Sequence, residues 1–190
     1  MCDVHLKKGA ESMERKYSYK IPFMTHSKAP SLLQNEVNQD LGSLRRVYRN
    51  KGLDAANWFI NSLEISVDGE ELQTGFRVSI QDKMIWLGRN KWSIFSIGPE
   101  GDEENILQDR TKIKLSPRFI FTYKNEEFAY TKELLDKTSF VHNSGKMLVA
   151  EIESGRSNHP MLTRQIKIHN DELPPMLLAC VDRVVRLLYR

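Results

Sequence analysis

The chain has 190 residues, 40% of them apolar and 28% charged, with 28 Lys and Arg against 25 Asp and Glu for a net charge of +3. That length suits one domain, and eight Phe, six Tyr and three Trp supply a real core, while ten Gly and seven Pro are too few for collagen-like or low-complexity classes. No run of about 18 apolar residues is present, and Cys2 and Cys180 stand at opposite ends, so a cytoplasmic chain with free thiols, no secretory leader and no membrane-spanning helix is the expectation.

Residues 1–14 read as a flexible tail and 15–190 as one domain. Tyr17, Tyr19, Ile21 and Phe23 alternate with polar residues, which is the period of a strand, and Pro22 marks its end. Thr25–Gln39 reads as a loop with a short extended piece at Leu32–Leu33, and Leu41–Tyr48 as the next strand. Leu53–Asn61 has a helical look. Leu63, Ile65 and Val67 alternate, and Asp68-Gly69 gives a hairpin turn signal before Phe76, Val78 and Ile80. Met84–Leu87 and Trp92–Ile97 read as strands, Gly98–Asp109 as an acidic loop, and Lys112–Leu115 and Phe119–Tyr123 as strands parted by Ser116-Pro117. Further strands are expected at Phe128–Lys132, Ser139–His142, Met147–Ile152 and around Leu162–Ile168. About ten to twelve short strands joined by tight turns predict an antiparallel sandwich or barrel.

The pattern then breaks once. A helix is expected from about Pro175 to Tyr189, opening on prolines that a first turn tolerates. On a helical wheel Asp182, Arg183, Arg186 and Arg190 fall within about 100°, and the rest of the circle is apolar apart from that stripe. At roughly 22 Å the helix is too short to cross a bilayer core of about 30 Å. A helix so apolar must be enclosed by protein, with Met176, Leu177, Val181, Val184, Val185 and Leu188 as its core residues. The expected architecture is therefore all-β: a closed antiparallel barrel of roughly 12 strands around a hydrophobic C-terminal central helix. Asp182 and Arg186, four residues apart with the acid first, are expected to pair and satisfy the polar stripe.

The basic excess is local: residues 1–60 carry ten Lys and Arg against six Asp and Glu. Arg45, Arg46, Arg49 and Lys51 form the candidate lipid- or phosphate-binding cluster, although strand geometry sends Arg45 and Arg46 to opposite faces. Arg45 and Arg49 share a face, with Lys51 beside them near a turn. The acidic stretch Glu100, Asp102, Glu103 and Glu104 lacks the ligand spacing of a calcium loop and reads as a solvated tip. The five histidines show no zinc spacing, so neither a metal nor a cofactor is expected. Phosphate-loop, dinucleotide and nucleophile-elbow motifs are absent, and Cys180 reads as an inert packing thiol. Trp58, Phe59, Trp86, Trp92 and Phe95 read as barrel core and end-plugs.

The terminal segment Leu173–Tyr189, the opening Lys16–Phe23 and the stretch Leu41–Asn50 resemble small bacterial members of the tubby C-terminal-like superfamily, related to LURP-one-related proteins and phospholipid scramblases. The resemblance covers about residues 15–190 and implies a barrel of about twelve strands around a helix. The functions of the family divide: tubby domains bind phosphoinositides through a basic pocket whose residues have no position-by-position match here, scramblases act at membranes and bind calcium, and LURP-one-related proteins mostly lack a defined biochemistry. The scramblases' cysteine cluster and calcium segment have no counterpart here. The expected function is thus a non-enzymatic cytoplasmic binding module contacting anionic lipid headgroups or phosphate groups, peripheral to an anionic membrane surface. A small-ligand barrel or small enzyme with a pocket at one mouth is the alternative, as is a scaffold for an unknown protein partner. The local basic excess is too small, and its stripe too short, to predict nucleic-acid binding.

Overall fold

The computed structural model describes residues 14–22, 24, 27–48, 64–83, 89–99, 101–133, 136–155 and 163–189. The tail, the histidines 5, 26 and 159, Cys2, Phe23, Arg49, Lys51, the helical-looking Leu53–Asn61 with Trp58 and Phe59, Leu63, Met84–Leu87 with Trp86, Glu100, Leu162 and Arg190 lie outside the described residues.

Alternating apolar and polar residues fold into twelve strands among the described residues. They are β1 (Arg15–Lys20), β2 (Ser31–Asn35), β3 (Asp40–Val47), β4 (Ser66–Glu71), β5 (Arg77–Asp82) and β6 (Lys91–Gly98). The second half comprises β7 (Gly101–Asp109), β8 (Arg118–Tyr123), β9 (Glu126–Lys132), β10 (Thr138–Asn143), β11 (Leu148–Ser154) and β12 (Thr163–Ile168). Each strand pairs antiparallel with its sequence neighbours, and β1 pairs with β12 from Arg15↔Ile168 to Lys20↔Thr163 to close the barrel. Closure leaves no sheet edge to template pairing with another chain. Pro22 falls just past the end of β1, where its missing N–H costs no ladder bond.

Helix α1 (Pro175–Leu188) fills the lumen. Met176, Leu177, Val181, Val184 and Val185 are buried, and Leu188 is partly buried against the same core. Its first turn carries no acid and no side-chain cap of its own, but Glu71 at the end of β4 accepts the Met176 N–H at 3.4 Å. The helix packs closest on β4 and β5, then on β3 and β12. Two glycines permit that approach. A Cβ on Gly69 would stand 2.7 Å from both Cys180 Sγ and Met176 Sδ, and one on Gly42 would stand 2.7 Å from Met176 Cε.

Three local expectations fail, each for a tertiary reason. Asp68-Gly69 is not a turn but mid-strand, registered with Ser79 and Val78, and the chain reverses later, at Leu72–Thr74. Gly69 is there for close backbone approach of the helix, the other use of glycine in a strand. The acidic stretch is not a loop either: Gly101–Asp109 is the longest strand, paired residue for residue with β6 from Gly98↔Gly101 to Lys91↔Gln108. Its acids survive as a strand because they face solvent or find donors, as Glu103 does from the Lys124 N–H and Asn105, and Glu104 from Ser93. Lys112–Leu115, finally, is not a strand but a tight turn closed by an Ile113↔Ser116 bridge.

Candidate functional site: a basic groove at one barrel mouth

The polar stripe of α1 meets the barrel wall at its centre. Asp182 is wholly buried, and both carboxylate oxygens are engaged. The Tyr19 hydroxyl donates to Oδ2 at 2.6 Å and the Tyr130 hydroxyl to Oδ1 at 2.7 Å. Arg164 donates Nε to Oδ2 and Nη2 to Oδ1, both at 2.8 Å, in the bidentate fork that suits a carboxylate. Arg164 also donates to Ser154 Oγ at 3.0 Å. Burial pushes the Asp182 carboxyl up, but the Arg164 guanidinium and the donated hydrogen bonds outweigh it and hold the carboxyl below its ordinary value. Burial and the same carboxylate push both phenols well up. The expected Asp182–Arg186 pair is therefore not the one formed. Enclosure turns Asp182 toward the wall, where β1, β9 and β12 supply its donors, and Arg186 sits nearer the mouth beside Lys132. This network is enclosed on all sides and reads as the latch that seats the helix.

The expected phosphate cluster divides. Arg45 and Arg46 point to opposite faces, as strand geometry requires. Arg45 is exposed, opposite Asp68 on β4. Arg46 is only 1% exposed, donates Nη2 to the Glu64 carbonyl at 2.6 Å and lies 4.8 Å over the Tyr48 ring. It serves the packing of the wall and is not turned toward solvent. Cys180 is buried against Gly69, and burial pushes its thiol up, which makes it a poor nucleophile. Trp92 is core, with Nε1 donating to the Ile65 carbonyl at 2.8 Å.

A larger concentration of positive charge lies elsewhere, at the mouth where α1 ends. A cavity of about 440 Å³ opens there between the β7–β8 connection and the end of β9. Arg89, Arg110, Lys112, Arg118 and Lys132 line it, with Glu133 as its acid. Among the described residues none of the five cations is held by a carboxylate ion pair. Burial depresses the Lys132 ammonium below its usual range, and the nearby Arg186 and Arg164 charges depress it further. The site carries unbalanced positive charge that an anion would neutralise.

Hydrogen bonds hold the connection rigid. The Arg110 N–H donates to the Arg118 carbonyl at 2.7 Å, and the Arg118 N–H donates to Thr111 Oγ1 at 2.9 Å. The Lys132 N–H donates to the Pro117 carbonyl at 3.0 Å, and Ser116 Oγ donates to the Lys132 carbonyl at 2.8 Å. Asp109, beneath the loop, accepts from the Thr111 N–H at 2.8 Å and from the Tyr189 hydroxyl at 2.6 Å, tying the groove to the end of the helix. The opposite mouth is acidic, with Glu71, Glu103, Asp171 and Glu172 around a second cavity that holds only Arg15 and Lys124 as cations. The two cavities thus differ in the sign of their charge among the described residues. Sequence reasoning missed the groove because its cations come from three separate segments. One local signal existed: Arg110–Arg118 holds four cations and no acid in nine residues.

Among the described residues no group of three or more His, Cys, Asp or Glu is placed to hold a metal ion, and no helix is long and apolar enough to cross a membrane. No curated protein and no solved structure matches the chain significantly. A family model described as "Tubby C-terminal like domain" matches residues 17–189, from the first core tyrosine of β1 to the residue that caps α1. With that match over a closed twelve-stranded barrel wrapped on a C-terminal helix, the chain belongs to the tubby C-terminal-like family.

Proposed function

We propose that the domain is a non-enzymatic binding module that takes the phosphate groups of anionic lipid headgroups in the basic groove. The carrying observation is the set of five cations, free of carboxylate partners among the described residues, gathered around a loop already fixed by hydrogen bonds. A fixed loop loses little conformational freedom on binding, so less of the electrostatic gain is spent on ordering. The family match supports a binding role in general. The helix occupies the lumen, so a ligand is taken outside the barrel and not within it. The acidic far mouth orients the molecule, since an anionic surface attracts one end and repels the other. On this reading the protein is peripheral to a membrane, and the surface lies at Arg89, Arg110, Lys112, Arg118 and Lys132, apart from Arg45.

The test is co-sedimentation with neutral and anionic phospholipid vesicles across a salt series, beside titration with soluble inositol hexakisphosphate. Binding to anionic vesicles alone, weakened by salt, is expected. A juxtamembrane cation contributes about 1 kcal/mol, so reversing Arg110 and Arg118 to Glu is expected to lower partitioning at least thirtyfold, roughly. Arg45→Glu, on another sector, is expected to change it little. Binding to the soluble phosphate but to no vesicle would replace the lipid with a free ligand. No binding to either would sink the proposal.

A further inference from the structure

We infer that the turn at Lys112–Ser116 is a membrane-inserting wedge: Ile113 and Leu115 enter the headgroup–acyl boundary of an anionic bilayer while the cations around them hold lipid phosphates. The inference rests on the proposed headgroup binding and adds its mode. Ile113 is 64% exposed and Leu115 is 67% exposed, and they project from one tight turn. Isolated exposed aliphatics are common on any surface. This pair differs in its setting. Lys112 and Lys114 alternate with the two side chains, and Arg110 and Arg118 flank the turn. Apolar side chains within a cationic collar match the order of an anionic bilayer, where phosphates overlie hydrocarbon.

Other exposed aliphatics give the contrast. Val37 follows Glu36, Leu72 follows Glu71, and Ile97 stands opposite Asp102, so each of these three has an acid that an anionic surface would repel, while Leu32 and Ile106 lie within strands opposite Ser43 and Ser93 and not on a turn among cations. The wedge is also stiff. The Ser116 N–H donates to the Ile113 carbonyl at 2.9 Å, and Ser116 and Thr111 fasten the turn to β9 and β8. A rigid tip keeps its apolar pair outward instead of folding it onto the barrel.

The experiment pairs Ile113→Ser with Leu115→Ser in the full chain, against anionic vesicles at low and high salt. Both side chains are exposed, so the fold is expected to survive, which circular dichroism checks. Each buried methylene is worth about 0.8 kcal/mol, and partial insertion of the pair predicts a fall in partitioning on the order of tenfold to a hundredfold. Leu115→Ser alone, outside the cavity lining to which Ile113 belongs, is expected to leave binding of soluble inositol hexakisphosphate unchanged. A second readout places an environment-sensitive dye at Ile113→Cys in a Cys2→Ser background, where Cys180 is buried and unreactive. Its emission is expected to shift to the blue on anionic vesicles and to be quenched by lipids carrying a quencher just below the headgroups. Full binding by the serine variant with an unshifted dye would overturn the wedge and leave headgroup binding standing. Loss of anionic-vesicle binding in the native chain itself would overturn both. Retention of the dye shift on a protein partner in place of vesicles would refute the lipid and identify the turn as a protein contact.

Discussion

Replacing Asp182 by Asn tests the account of how the helix is held. The substitution keeps the shape but removes the charge, so Arg164, whose side chain is only 3% exposed, keeps a positive charge inside the barrel without its counter-ion. Two of the four hydrogen bonds come from that guanidinium, and the phenols of Tyr19 and Tyr130 lose an ionic acceptor. Removing one member of a buried pair costs about 3–5 kcal/mol, against a total stability of about 5–15 kcal/mol for a domain. For a chain of this size each kcal/mol moves the melting temperature by about 2–4 °C, so a fall of roughly 6–20 °C is expected. Urea denaturation followed by tryptophan fluorescence measures it directly. The control is the pair Asp182→Leu with Arg164→Met, which removes both charges together and is expected to recover most of the loss. If Asp182→Asn costs under about 1 kcal/mol, the latch is not what seats the helix.

Two further outcomes follow from the same core. The Asp182 carboxyl is held below its ordinary value in the folded state, so the unfolded chain binds the proton more readily. The stability it contributes is full above the ordinary carboxylate range and is lost as pH falls through the lower folded value. Urea midpoints are expected to drop more steeply below about pH 4 in the native chain than in Asp182→Asn; parallel curves would contradict the linkage. Gly69→Ala forces a Cβ to within 2.7 Å of Cys180 Sγ and Met176 Sδ, and overpacking of this kind costs about 1–3 kcal/mol. Adding Cys180→Ala is expected to return part of it in a double-mutant cycle. Strict additivity of the two changes would show that the helix does not press on Gly69.

The groove and the latch were unequally legible. Arg110–Arg118 is a local run of four cations without an acid, yet its period-two alternation of Lys112, Ile113, Lys114 and Leu115 also describes a strand. Only the hydrogen bonds of Thr111, Ser116 and Lys132 close it into a turn and bring Lys132 and Arg89 to the same cavity. Arg45 and Arg46 show the reverse. Alternation alone sends them to opposite faces, but which face is interior depends on where the barrel closes.

Residue order alone determined the elements whose signal is local and the enclosure that the helix demands. Tyr17 with Tyr19, Phe119 with Phe121, and Val141 carry the two-residue period of a wall. The run Met176–Leu188 is apolar around most of its circumference and must be enclosed by whatever strands surround it. Tertiary structure decided the rest because the deciding partners are remote in sequence. Gly69 is a strand residue because the helix more than a hundred positions later needs the space. Asp182 bonds Arg164 and two tyrosines instead of Arg186 because closure of β1 on β12 brings those donors to it. Local propensity ranks a residue's options, but a buried charge or a close backbone contact is worth several times more, and that choice is made only when the barrel closes.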